Sequence, residues 1–455
     1  MAIKRLFVAN RGEIALRIVR AAQALNIETV VAVSDADRDS AAARLADRSI
    51  VLGPASASKS YLDPRLVVHA ARESGCDGLH PGYGFLSERA ILPRLCAQYG
   101  IAFVGPDPDM IDALGDKIRA RAMARAAGVP LVPGSDGIAS AQDARREGDR
   151  IGYPVLLKAS AGGGGRGMVI ANNGDEAEAG FDRASAEAVA AFGDGTLFME
   201  RFVPLARHVE VQLMGDGQGN VLHFGERDCS VQRRYQKVVE EAPCAAMPDD
   251  LRKQLHASAI ALAKSVNYRN AGTAEFLYDV VRQEFYFIEV NARIQVEHPV
   301  SEMISGFDLV QEQLRIAGGA ALSVSQDQIK LHGHAIECRI NAENVERDFL
   351  PSPGTVTRWS PPEGRGIRLD SHMRAGAVIP PFYDSMIGKL IVHADTRVEA
   401  IALMADALDR FVIEGIPTTL DLHRAIFAHP DFIENRIHTR WLEQVLLAER
   451  EMAAA

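Results

Sequence analysis

Ile3-Lys4-Arg5-Leu6-Phe7-Val8-Ala9, a turn at Gly12, apolar groups at Ile14, Ile18, Ala22 and Leu25, then Glu28-Thr29-Val30-Val31-Ala32-Val33: this opening stretch decides the fold class. The two apolar runs read as buried strands, and the residues between them carry the spacing of a helix face. Strand, helix and strand within about 30 residues form a βαβ unit, which predicts a parallel sheet with a right-handed crossover. The alternation continues with a helix over Leu66–Ser74, a strand over Ile101–Val104 closed by Gly105-Pro106, and a helix over Asp116–Ala127 stopped by Gly128 and Pro130. The fold class expected is α/β.

Beyond Gly128 the chain is richer in glycine and alanine to about Phe202, with shorter strands, and reads as a separate small lobe. Thr273 to Glu297 reads as strongly extended, Gly318-Gly319 as a boundary, Ala335–Ile340 and Gly388–Val392 as strands, and Thr439–Glu451 as a terminal helix. A length of 455 residues fits about three domains. Apolar residues at 47% and charged residues at 24% are ordinary for a globular chain. No apolar run approaches the ~18 residues of a membrane span, and Leu6–Ala9 is too short for a signal peptide, so a cytoplasmic location is expected. A net charge of −10 argues against a nucleic-acid surface; an anionic substrate would need local cations and a metal. The five cysteines, with no C-x-x-C spacing, are expected as free thiols.

Two segments carry chemistry. Val155–Ala159 is a strand, Met168–Ile170 another, and between them lies Ser160-Ala161-Gly162-Gly163-Gly164-Gly165-Arg166-Gly167. Four glycines let a backbone approach an anion and aim N–H groups at it. No Gly-Lys-Ser/Thr follows and no helix opens, so neither a P-loop nor a dinucleotide fingerprint fits; a strand–loop–strand flap remains, flanked by Lys158 and Arg166.

In Glu289-Val290-Asn291-Ala292-Arg293-Ile294-Gln295-Val296-Glu297 every second residue is polar. While the chain stays extended, the polar set shares one face and Val290, Ala292, Ile294 and Val296 pack into the core. Asn and Glu are poor strand formers, so a merely solvated face is the weaker reading. Glu289, Asn291 and, from the neighbouring strand, Glu275 offer hard oxygen ligands. Two carboxylates ~4 Å apart repel by roughly 4 kcal/mol at an effective dielectric near 20, and Mg²⁺ would hold them together. Arg293 and Glu297 would be a cation and a base beside that metal end. Lys237 precedes Val238-Val239 and could face the same site. Arg339 interrupts an apolar strand and needs Glu337 or an anionic ligand as partner.

In these features the chain resembles the biotin carboxylase subunits of biotin-dependent carboxylases, acetyl-CoA carboxylase type, within the ATP-grasp superfamily. The likeness runs from about Ile3 to Leu446. It rests on Ala9-Asn10-Arg11-Gly12-Glu13-Ile14-Ala15, His80-Pro81-Gly82-Tyr83-Gly84-Phe85-Leu86-Ser87-Glu88, the glycine loop, Glu226-Arg227-Asp228-Cys229-Ser230, Arg293–Pro299 and Phe349–Gly354. It implies a Rossmann-like parallel-sheet domain at 1–114, an ATP-grasp domain at 115–330 with a mobile lid at about 131–203, an α+β biotin carboxylase C-terminal domain at 331–446, and a tail at 447–455. It implies ATP held by Lys117, Lys158, Gly164, Gly165 and His208, with Glu200, Arg201, Phe202 and Val203 at the adenine and Tyr235 near the nucleotide. Glu275, Glu289 and Asn291 would bind one or two Mg²⁺ or Mn²⁺ ions. Lys237, Arg293, Gln295 and Val296 would meet bicarbonate, Glu297 would be the base, and Arg339 would stabilise the biotin enolate. The reaction implied passes through carboxyphosphate to carboxybiotin.

Tyr235 stands where the family usually has His, and Ala161, Arg201 and Ala292 replace a common Gly, Lys and Thr; the turn after Tyr278 is slightly long. No Met-Lys-Met type biotin site occurs, so biotin is expected on a separate carrier protein, with a carboxyltransferase as further partner and a homodimer by analogy. Acetyl-CoA is the expected acceptor, with propionyl-CoA, methylcrotonyl-CoA, pyruvate or urea as alternatives. The competing readings are an ATP-grasp ligase joining a carboxylate to an amine, which needs neither Arg339 nor the Lys237–Arg293–Glu297 set, and an inactive nucleotide-binding scaffold.

Overall fold

The computed structural model describes residues 2–135, 137–159, 168–192 and 195–454; Ala161, Gly164 and Gly165 of the glycine loop lie outside them. The opening βαβ reading holds. Arg5–Val8, Glu28–Ser34, Arg48–Gly53, Gly78–His80 and Ala102–Phe103 form a five-stranded parallel sheet with the first strand at its centre. Gly12, at φ +67°, turns the first strand into the helix Gly12–Ala24, a left-handed conformation that costs glycine no Cβ clash. Ile14, Ile18 and Ala22 of that helix are buried against Leu6, Val8, Val31 and Val33. The predicted helices appear as Pro64–Glu73, with Asp63 capping the N–H groups of Arg65 and Leu66, and Lys117–Ala126, capped by Asp116.

Two compact units divide the chain: Met1–Val129 with Arg207–Ala455, and Pro130–Ala206. In the second, Val155–Ala159 is the centre of a three-stranded antiparallel sheet, flanked by Met168–Ala171 and Leu197–Arg201. Its core is Ile138, Leu157, Val169, Leu197 and Met199 with small residues from two helices.

The first unit also holds an eight-stranded, largely antiparallel sheet. Its order is Glu284–Asn291, Arg269–Asp279, Ala206–Asp216, Val221–Arg233, Gln236–Ala242, His334–Asn341, Met386–Ala394 and Ile367–Ser371. Gln236–Ala242 pairs with His334–Asn341, so the sheet runs on through the residues on both sides of position 330. Beyond Ile340 its core is closed by the helix Arg397–Arg410 and by Phe427, Phe432 and the fully buried Trp441. The terminal helical stretch contains a π-helical segment, Leu442–Leu447.

The extended reading of 273–297 needs correction. Strands Arg269–Asp279 and Glu284–Asn291 pair as a hairpin, and regular structure then stops; 292–297 is irregular, and the helix His298–Ser305 follows. Ala292 and Ile294 are buried as expected, whereas Val296 is half-buried because it lies in the turn. Pairing shifts between Glu275 and Phe276, with Glu275 opposite Glu289 and Phe276 opposite Phe287. This bulge resets the side-chain alternation. Phe287 joins Phe276 in aromatic contact, while Glu289, only two residues on, goes to the other face with Glu275.

One buried ion pair fastens the sheet to the C-terminal helices. Arg397 donates to both oxygens of Glu241, at 2.7 and 3.0 Å, and to the carbonyls of Phe432 and Ile433. Burial opposes ionisation of Glu241, but Arg397 and His334 outweigh it and hold the carboxyl at about 2. A folded-state value below the unfolded one stabilises at pH above the ordinary carboxylate range and ceases to do so as pH falls through the folded value. Glu241→Gln should therefore cost on the order of 3 kcal/mol at pH 7. In urea denaturation, the gap between variant and wild type should narrow as pH falls from about 4.5 toward 2.

Candidate functional site

The strand Ala206–Asp216 carries His208, Glu210 and Gln212 on one face, alternating with buried Val209 and Val211. Its neighbour Val221–Arg233 places Arg227 opposite Glu210. Arg227 is fully buried and spends its guanidinium on five oxygens: Glu210 at 2.6 Å, Gln212 at 2.7 Å, Ser301 at 3.0 Å, Thr273 at 3.2 Å and Gln295 at 2.6 Å. Arg227 thus ties three strands to the irregular segment and the helix after it.

Lys237 stands beside this platform. Its ammonium donates to Glu210 at 2.5 Å, Glu297 at 2.5 Å and Glu275 at 3.1 Å. Burial lowers the pKa of this amine, but the surrounding carboxylates, Glu210 and Glu297 foremost, push it well above its ordinary value. Arg339 meets Glu240 at 2.6 Å and Glu297 at 3.1 Å. The partner proposed from sequence, Glu337, is not the one used. Arg339 lies on His334–Asn341, next to Gln236–Ala242, and the acid its guanidinium reaches is Glu240 across that pairing. Glu337 is fully buried and its carboxyl is pushed well up by desolvation.

Glu297 is 2% exposed and lies between Lys237 and Arg339. Desolvation raises a carboxyl, yet these two cations and Arg227 overcome it and hold Glu297 well below the usual carboxylate range. It is ionised at any physiological pH, the protonation state that a base needs.

The other half of the site is acidic. Asn291 at 2.8 Å, Gln295 at 2.9 Å and Lys237 all donate to one oxygen of Glu275, and His208 lies 3.1 Å from the other. Burial raises Glu275, but His208 and Lys237 outweigh it and leave its carboxyl lowered. Glu289, opposite Glu275, is raised by burial and by the Glu275 charge. Two carboxylates on one face, one of them discouraged from ionising by the other, are a donor set that a divalent cation would relieve. The amide oxygen of Asn291 accepts from Arg293 at 3.0 Å, so as a ligand it would exchange that contact. Arg293 also pairs with Glu88, at 3.0 Å. His208, Glu210 and Glu275 also bring three side chains of metal-ligand type within 4.8 Å of one another.

The remaining expected residues sit on other elements. Lys117 is exposed at the start of its helix, close enough to Glu289 for its positive charge to favour that carboxylate. In the unit Pro130–Ala206, Lys158 pairs with Glu200; Glu200 and Val203 are buried, and Arg201 and Phe202 half-buried. Tyr235 is 76% exposed in the two-residue turn between Val221–Arg233 and Gln236–Ala242, where it and Arg234 both take positive φ. All five cysteines are buried free thiols. An open pocket of about 350 Å³ has Lys237 and Arg339 in its lining, with Arg233, Phe349 and Leu422.

Glu210, Arg227 and Glu240 were not singled out from sequence as site residues. The signal for Glu210 was present: His208-Val209-Glu210-Val211-Gln212 alternates as cleanly as the Glu289 stretch. Arg227 and Glu240 sit in charged runs whose partners only the strand pairing reveals.

Three family models match along the chain: the biotin carboxylase N-terminal domain at residues 2–111, the carbamoyl-phosphate synthase L chain ATP-binding domain at 116–325, and the biotin carboxylase C-terminal domain at 337–444. Biotin carboxylase 1 of Bacillus subtilis is 47% identical over 442 residues, covering 97% of this chain and 98% of that protein. A pyruvate carboxylase subunit of Methanothermobacter thermautotrophicus is 45% identical, covering 97% and 89%. The crystallised biotin carboxylase domain dimer of Hydrogenobacter thermophilus 2-oxoglutarate carboxylase, in complex with MgADP, ADP and bicarbonate, superimposes with a TM-score of 0.87 at 45% identity over 98% of both chains. No helix among the described residues is long and apolar enough to cross a membrane. Near-complete likeness of this kind, over a cleft whose buried carboxylate is held between a lysine and an arginine, makes the chain a member of the biotin carboxylase family of ATP-dependent ligases, with an ATP-grasp core.

Proposed function

We propose that the chain carboxylates biotin on a separate biotin carboxyl carrier protein, using ATP and bicarbonate, as the first half-reaction of an acyl-CoA carboxylase whose acceptor is acetyl-CoA. The observation that carries this is Glu297 in contact with both Lys237 and Arg339. A carboxylate–amine ligase of the same core has no use for a base set between two such cations. In this reading Lys237, Arg293, Gln295 and the backbone at Val296 bind bicarbonate. Glu297 takes the bicarbonate proton so that a bicarbonate oxygen attacks the γ-phosphate of ATP and ADP leaves. The carboxyphosphate formed gives CO₂ beside biotin, whose N1′ proton goes to the released phosphate while Arg339 stabilises the enolate. Phosphoryl transfer depends chiefly on positioning and on charge neutralisation.

Lys117, Lys158, Gly164, Gly165 and His208 would hold the ATP phosphates, Glu200–Val203 would line the adenine, and Tyr235 would lie near the nucleotide. Glu275, Glu289 and Asn291 would bind one or two Mg²⁺ or Mn²⁺ ions. Such ions would supply charge neutralisation at the phosphates. The unit Pro130–Ala206 would act as the lid that excludes water. It would belong to an ATP-grasp domain at 115–330, preceded in the chain by a Rossmann-like domain at 1–114 and followed by a C-terminal domain at 331–446. Partners would be the carrier, a carboxyltransferase and a second copy of the chain, in the cytoplasm. The likeness to a pyruvate carboxylase subunit supports a second reading of the acceptor, pyruvate.

The deciding experiment is ATP cleavage by purified protein with Mg²⁺. It should require bicarbonate and quicken with free biotin; cleavage driven by an amino acid in place of bicarbonate would overturn the reading. Reconstitution with carrier and transferase, supplied with acetyl-CoA or pyruvate, separates the two acceptors. Glu297→Gln should lower bicarbonate-dependent turnover by about 10²–10⁴-fold while ATP binding, followed by calorimetry, stays within a few-fold. Arg339→Lys should impair transfer to biotin more than bicarbonate-dependent ATP cleavage, because the planar guanidinium fork is lost. Comparing the two rates in one preparation checks this.

A further inference from the structure

Two of the sequence motifs, Ala9–Ala15 and His80–Glu88, hold no role in the proposed chemistry beyond the pairing of Glu88 with Arg293, yet Tyr83 of one and Glu13 of the other meet beside one buried lysine. Lys389 lies in the strand Met386–Ala394, directly opposite Arg339 in the sheet register, and is completely buried. Its ammonium donates to the carbonyl of Val296 at 2.7 Å and lies 3.2 Å from Glu13. Tyr83 donates its hydroxyl to the same oxygen of Glu13. Asn10 clamps the turn that presents Tyr83, its amide donating to the carbonyls of Pro81 at 2.6 Å and Tyr83 at 2.8 Å. Gly82, at φ +63°, packs so closely on Asn10 that a Cβ would lie 2.9 Å from the amide nitrogen.

A lysine without any exposed surface is costly unless it is paired and hydrogen-bonded. The carbonyl it meets belongs to 292–297, the irregular stretch that has left the sheet ladder and must find other hydrogen-bond partners. Val296 precedes Glu297, so this contact fixes the peptide plane from which the Glu297 side chain departs. Burial lowers the pKa of this amine, but Glu13 and the other acids around it keep it raised, so the contact is charge-assisted.

We infer that Lys389 is a positioning residue: held by Glu13, it pins the Val296 carbonyl and thereby orients Glu297 and the bicarbonate-binding backbone. The inference rests on the proposed roles of Val296 and Glu297. A displacement of about 1 Å at a reacting group can cost about 10²-fold in rate, so a side chain that never touches substrate can matter this much.

The test uses Lys389→Met, Glu13→Gln and the double variant, which removes both members of the buried pair together and keeps the fold available if a single variant leaves its partner stranded. Bicarbonate-dependent ATP cleavage should fall about 10–10²-fold in kcat/KM for bicarbonate in Lys389→Met, with the KM for ATP unchanged. Glu13→Gln added to Lys389→Met should bring no further loss, since both act through one contact. Equal losses for both substrates, or fully multiplying losses in the double variant, would refute the inference. Amide hydrogen exchange over 292–298 gives a readout independent of turnover: exchange should quicken at least about tenfold in Lys389→Met and in the double variant, with distant strands unchanged. Unchanged protection there refutes the positioning role whatever the activity. A wild-type protein without bicarbonate-dependent cleavage would instead count against the functional reading, and the exchange result would still decide this one.

Discussion

Glu210, Glu275 and Glu297 share the ammonium of Lys237, and the architecture of the first unit follows from the need to keep them there. Three buried carboxylates this close repel one another by several kcal/mol at any realistic dielectric. One lysine does not balance them. Arg227 beneath, with five acceptors, and Arg339 beside, paired with Glu240 and Glu297, supply the further positive charge. Each of these groups sits on a different one of five neighbouring strands or on the turn after Asn291, so the cluster exists only when those strands are assembled in register.

The sheet supplies the placement by ordinary means. Alternation puts His208 and Glu210 on one face, and pairing sets Arg227 against Glu210. A single bulge lets the aromatic half of Glu284–Asn291 face the core while Glu289 faces the cleft. The chain then abandons the ladder, and a turn capped by the helix His298–Ser305 delivers Glu297 to cations on strands it never pairs with. Regular structure makes the platform, and the irregular turn presents Glu297 to it.

This explains what could be read from residues alone. The parallel N-terminal sheet was legible because its strands are continuous apolar runs separated by a helix of matching period. The polar set from Glu289 to Glu297 was legible as a set, although the extended geometry offered for it fails after Asn291; convergence there comes from side-chain contacts with Glu275 and Arg227, which no local pattern encodes. The partner of Arg339 was missed for the same reason. Glu337 is two residues away in sequence, but Glu240 is across the sheet, and only the register says so. Lys389 was not singled out, although it interrupts the apolar run Met386–Ala394 as Arg339 interrupts its own strand; which acid and which carbonyl it meets only the fold reveals.

Replacing such an ionic network with apolar side chains would be neutral or favourable for stability in many proteins, so its presence calls for a chemical reason, and the proposed role of Glu297 as base would supply one. Before substrate enters, Lys237 and Arg339 hold its carboxyl far down, and a base so stabilised has little appetite for a proton. An anion arriving beside Lys237 takes a share of that positive charge and adds negative charge of its own; both changes raise the proton affinity of Glu297. On the proposed reading, bicarbonate therefore strengthens the base that will deprotonate it. The strengthening is confined to the moment when the cleft is filled, because the same cations return to Glu297 when it empties. A preorganised cluster of this kind requires no rearrangement of the sheet to act, which is why it can be built from strands and held rigid by Arg227.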